Sequence, residues 1–142
     1  MKKYILIILS IFSLNILAQE QKKDTLYFKF DTNYIKVMKD FDNDYIFMFK
    51  KEKLVTSAFG KIIKEDMFHF AQSGTPPIVY KLNPRKIYSL KTYLKNRENI
   101  FKDKRTKKMD AYKLMEYFDN HTVFFLFEKK LIKVKVRTSL YE

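Results

Sequence analysis

Leu26, Phe28 and Phe30 alternate with Tyr27, Lys29 and Asp31, the period of two that marks a strand with one buried face. A second alternation sets Tyr34, Lys36 and Met38 against Ile35 and Val37. Tyr45 to Lys50 is apolar on both faces, as expected of a strand covered on both sides. Asp42-Asn43-Asp44 separates the last two runs with residues that tolerate left-handed backbone and bond their own amides, so the three runs predict an N-terminal meander. Strand-like rhythm continues through Lys53 to Ala58, Ile62 to Lys64 and Met67 to Ala71, with a short helix around Gly60 to Glu65 as the competing reading. Gly60 and Gly74, the only glycines, are the expected bends. Thr75-Pro76-Pro77 interrupts any sheet because neither proline has an amide to donate, and Ile78 to Leu82 pairs again beyond it.

From Asn83 the period changes. Ile87, Leu90, Leu94 and Phe101 fall at helical offsets, and Ser89 is placed to cap a helix over Leu90 to Glu98. Asp110 is placed to cap Ala111 to Phe118, with Asn120 as a left-handed residue past its end. Val123 to Phe127 reads as a central strand, apolar on both faces. Ile132, Val134 and Val136 alternate with Lys133, Lys135 and Arg137 beyond a tight turn near Lys129-Lys130. The fold class expected is α+β: a mostly antiparallel sheet made of the N-terminal meander and a C-terminal hairpin, with two short helices packed on one face.

Upstream of these elements, Met1-Lys2-Lys3, the apolar run Tyr4 to Leu17 and Ala18-Gln19 have the order of a secretory signal, which predicts cleavage between Ala18 and Gln19. The apolar run would span about 21 Å as a helix, short of the roughly 30 Å hydrocarbon core. The expected organisation is a signal peptide over residues 1–18 and one α+β domain over 19–142, exported to the periplasm or beyond and not an integral membrane protein after cleavage. The chain has no Cys, so a disulfide, a thiolate nucleophile and a zinc–thiolate site are all excluded.

Charge changes the picture next. With 29 Lys and Arg against 16 Asp and Glu, the formal net charge is +13, a surface that attracts polyanions. The skew of 25 Lys to 4 Arg is also what AT-rich codons produce, so part of the basicity reads as solvation and genomic bias. The leader, together with Lys86-Ile-Tyr-Ser-Leu-Lys91, the segment Thr92 to Arg97 and Asp110-Ala-Tyr-Lys-Leu-Met115, resembles small secreted proteins of the Bacteroidota, flavobacteria above all. The resemblance implies an envelope or extracellular location and brings no catalytic residues.

Three clusters could carry chemistry. Lys102, Lys104, Arg105, Lys107 and Lys108 surround a single acid, Asp103, and could hold phosphates or other anions, with Lys133, Lys135 and Arg137 extending the basic face. Tyr88, Tyr93 and Tyr112 flank the first cluster and could stack on bases; the bland reading is a solvated connection with tyrosines partly in the core. His69 and His121 are the only histidines and could share acid–base cleavage of a phosphodiester, provided both reach one substrate. Asp40 to Asp44 opens like a calcium loop but has Tyr45 where Gly is needed and Lys51 where Glu is needed, so no metal site is expected. No Gly-rich phosphate loop or Gly-x-Ser-x-Gly elbow is present, and no cofactor is expected. The function expected is therefore an exported, non-catalytic interaction protein contacting an anionic envelope or extracellular surface. Its partner would be an anionic glycan, a lipid headgroup or a protein, with nucleic acid less favoured. The alternatives are a small secreted nuclease and an inhibitor or immunity protein that binds a secreted effector.

Overall fold

The computed structural model describes residues 23–57, 60–64, 67–79 and 86–138, so the expected cleavage point at Ala18 and Gln19 lies outside the described residues. The described residues form the strands β1 (Thr25–Lys29), β2 (Ile35–Lys39), β3 (Tyr45–Phe49), β4 (Phe68–Gln72), β5 (Ile78–Val79), β6 (Tyr88–Ser89), β7 (Thr122–Phe127) and β8 (Lys130–Thr138); β6 falls where the period is helical and no strand is expected. They form one sheet in the order β2-β3-β4-β8-β7-β1-β6, with β5 pairing β8 alongside. Most pairs are antiparallel, in keeping with the expected α+β class.

The meander is displaced by one strand from the expected one. It runs β2-β3-β4, whereas β1 crosses to the far side and pairs in parallel with β7, Phe28 opposite Phe125, and with β6. Both β1 and β7 carry apolar side chains on the core face, and side-by-side placement lets Leu26 and Phe28 continue the layer of Val123 and Phe125. The C-terminal hairpin forms as expected, one residue earlier: Glu128 and Lys129 occupy the turn with φ of 48° and 59°. The rhythm over residues 53–64 gives isolated bridges rather than strands, Val55 meeting both Ile62 and Asp110. Ala58 and Glu65, and the stretch from Tyr80 to Leu82, lie outside the described residues.

Curvature follows from the aromatic core. Phe47 on β3 and Phe125 on β7 stack with ring centroids 4.6 Å apart, although β4 and β8 lie between their strands. In a flat sheet three strand spacings would separate them by about 14 Å. The sheet is therefore curled into a half-barrel whose concave side is filled by Phe28, Phe47, Phe70 and Phe125, each at most 1% exposed. Phe30 on one flank of this trough also reaches Phe47, at 6.0 Å.

Among the described residues three short helices occur where two are expected: α1 (Leu90–Lys95), α2 (Glu98–Phe101) and α3 (Ala111–Asp119). The expected helix over Leu90 to Glu98 stops at Asn96 because Arg97 leaves helical geometry (φ −125°, ψ 28°) and lays its guanidinium over the Tyr93 ring at 3.8 Å. The break brings Phe101 into the core, where it is fully buried. Both expected caps form, Ser89 accepting from the Thr92 amide and Asp110 from that of Tyr112. Asn120 is not left-handed (φ −83°); its side-chain amide instead donates to the Glu116 carbonyl. Phe118 of α3 meets Phe28 and Phe70 edge-on, at 6.1 and 5.2 Å.

Candidate anion-binding site

The cationic segment between α2 and α3 is a closed loop rather than a loose connection. Lys102 and Met109 bridge its base, the Asp103 amide donates to the Lys108 carbonyl at 2.9 Å, and the Lys107 amide returns to the Asp103 carbonyl at 3.0 Å. The Asp103 carboxylate accepts from the amides of Thr106 at 2.8 Å and Arg105 at 3.0 Å. These bonds, that to the Thr106 amide foremost, hold the Asp103 carboxyl below the usual carboxylate range. The one acid in the segment thus holds the loop shut.

Asp110 fixes where the loop sits. Fully buried, it caps α3 with one carboxyl oxygen while its amide donates to the Phe101 carbonyl. On either side, the Val55 amide donates to Met109 and the Ala111 amide to Val55. This ladder lays residues 51–55 along residues 109–111. As a result Lys51, Lys53, Lys102, Lys107 and Lys108 line one open cavity of about 340 Å³ together with Glu52 and Met109. A neighbouring cavity of about 420 Å³ adds Lys104 beside Glu98 and Asp103.

Few acids neutralise this group. Glu98 pairs with Lys102 at 2.7 Å. Glu52 accepts from the Tyr34 hydroxyl, and burial followed by the Glu52 charge pushes that phenol well above its ordinary value. Lys51, Lys53, Lys104, Lys107 and Lys108 have no ion pair with a described residue. Arg105 has a different place, its guanidinium packed against Gly60, where left-handed backbone (φ 59°) and the absence of a side chain make room for it. Four of the expected cations, Lys102, Lys104, Lys107 and Lys108, therefore line these two cavities, and Lys51 and Lys53, far away in sequence, complete the group.

The other expected residues lie elsewhere. Lys133, Lys135 and Arg137 project from the outer face of β8, and Arg137 stands opposite His69 of β4. Arg137 and His69 line a groove of about 780 Å³ with Asp40, Asp44 and Gln72, whereas His121 lines a cavity of about 150 Å³ with Phe70, Phe118 and Val134. His69 falls between the buried Phe68 and Phe70 and so faces away from the core side that His121 borders. His121 Nδ1 donates to the Tyr117 carbonyl at 2.7 Å and its ring stacks on Tyr117, a helix-end arrangement. The two imidazoles are not brought together. Tyr88 and Tyr93 pack on Phe28 rather than offering free stacking faces. Asp40 accepts from the amides of Asp42 and Asp44, both at 2.9 Å, which is turn chemistry. Among the described residues no group of three metal-ligating side chains occurs, and no helix is long and apolar enough to cross a membrane.

No family model, curated protein or solved structure matches the chain. The functional reading therefore rests on the chemistry of the site.

Proposed function

We propose that this is an exported, non-catalytic interaction protein that contacts an anionic envelope or extracellular surface through the Lys102–Lys108 loop and the adjoining Lys51 and Lys53. The observation that carries the reading is the cavity lined by Lys51, Lys53, Lys102, Lys107 and Lys108, four of which have no ion pair with a described residue. Like charges held this close repel one another, and a bound polyanion removes that repulsion while releasing its own counterions. The loop's closed geometry means that little ordering remains to be done on binding. Phosphate- and carboxylate-bearing surfaces share the required chemistry. The nuclease alternative gains nothing from the geometry, because His69 and His121 border different cavities.

The test is binding of the exported protein to anionic vesicles, zwitterionic vesicles and an anionic polysaccharide across a range of salt. Each lysine near an anionic leaflet contributes roughly 1 kcal/mol. Replacing Lys51, Lys53, Lys107 and Lys108 with Gln should then weaken vesicle binding by about two to three orders of magnitude. The same change on Lys133, Lys135 and Arg137 should have a much smaller effect. Equal loss from both sets, or binding indifferent to salt, would reject the site.

A further inference from the structure

Among the described residues the largest apolar exposure lies at the opposite end of the molecule. Phe41 is 108% exposed at the tip of the β2–β3 hairpin, and Met38 beside it is 50% exposed. The tip is not a loose loop. Asp40 accepts from the amides of Asp42 and Asp44, the Asn43 amide donates to the Asp40 carbonyl, and the Asp40 amide donates to the Asp44 carbonyl at 3.0 Å. Asn43 takes the left-handed conformation (φ 64°) that this closure needs, one its short side chain tolerates. A phenyl ring is thereby held out in water on a braced turn, surrounded in sequence by Asp40, Asp42 and Asp44. Burying the ring is favourable, so it is an anchor for a partner pocket. The three carboxylates require that the pocket have a cationic rim.

One cavity with that chemistry is on this molecule. Tyr34, Leu94, Phe101 and Met109 line a space of about 210 Å³, together with Lys91, Lys95 and Lys102 and the acids Glu52 and Glu98. Both acids are engaged, Glu98 with Lys102 and Glu52 with the Tyr34 hydroxyl. Lys91 and Lys95 are exposed and have no ion pair with a described residue, so the rim keeps an excess of positive charge. Phe41 cannot reach this cavity in its own molecule: Tyr34 and Phe41 flank opposite ends of β2, about 23 Å apart along an extended chain.

We propose that the Phe41 tip of one copy seats in the cavity lined by Tyr34, Leu94, Phe101 and Met109 of a second copy. Tip and cavity are different surfaces at opposite ends, so the contact is head-to-tail, and any assembly that has not closed into a ring keeps a free tip and a free cavity at its two ends. The charge contribution makes association stronger at low ionic strength.

The experiment is the concentration dependence of mass, by light scattering or sedimentation equilibrium at low ionic strength, on the exported protein and two surface variants. Phe41→Ser removes the tip and keeps the cavity; Lys91→Glu with Lys95→Glu reverses the rim and keeps the tip. The native protein should grow past dimer with concentration, and each variant alone should remain monomeric. Mixed one to one, the variants should form a dimer and nothing larger, since each supplies the half the other lacks. A native protein that stays monomeric would overturn the proposal, as would a closed dimer that does not grow, a Phe41→Ser variant that associates like the native chain, or a mixture that stays monomeric. Phe41→Ser leaves Lys51, Lys53 and the loop lysines in place, so anion binding is read independently on the same sample.

Discussion

Asp103 sits in the middle of the cationic loop and takes its hydrogen bonds from the amides of Thr106 and Arg105. Its folded-state carboxyl is held below the usual range, so its contribution to loop order is complete above the pKa of the unfolded chain, about 3.9, and is lost as pH falls through the lower folded value. The Thr106 amide resonance should therefore titrate with a midpoint below about 3.9. In Asp103→Ala, hydrogen exchange at Thr106 should be faster at every pH, with no titration left in this range. A native midpoint at or above the ordinary carboxylate value would contradict the role given to this side chain. This residue's function was only half legible: a lone acid among lysines is visible in the sequence, but nothing in the spacing says that it closes the loop. Phe41 was obscured in a similar way, because Asp-Phe-Asp-Asn-Asp reads as turn chemistry without showing that the ring stays outside the core.

At the scale of elements, alternation was a good guide wherever a strand buries one face. The alternating run at Leu26 became a strand, as did the runs at Tyr45 and Val123 that are apolar on both faces, and the capping side chains of Ser89 and Asp110 marked the true starts of α1 and α3. Pairing was not legible, because the parallel contact of β1 with β7 joins Phe28 to Phe125 across most of the chain, and hydrophobic alternation is the same whichever neighbour a strand takes. The β7–β8 turn departs from what its residues favour. Glu128 and Lys129 both have positive φ, a hairpin geometry preferred by Asn-Gly and unfavourable for side chains of this kind. Replacing them with Asn and Gly should raise unfolding free energy by about 1–2 kcal/mol in denaturant titration. An unchanged or lower midpoint would show that their left-handed backbone is stabilised by something other than local geometry.

For the whole molecule, the curled sheet sets the charge layout. Aromatic rings fill the trough, acids gather at the Phe41 tip, and lysines from residues 51–53 and 102–108 gather at the opposite end of β2. The net charge was readable at once, but its location was not, since Lys51 and Lys53 join the loop only through backbone bonds between Val55, Met109 and Ala111. The β8 ladder, equally basic in sequence, stays apart on the outer sheet face. The proposed anion site is the group made by Lys51, Lys53 and residues 102–108, not the β8 ladder. An NMR titration of the protein with inorganic polyphosphate, following the backbone amides, tests this most simply. Salt-sensitive shifts are expected at Lys51, Lys53 and residues 102–108, with residues 133–137 nearly still. Shifts centred on Lys133, Lys135 and Arg137, or spread evenly over all exposed lysines, would contradict it.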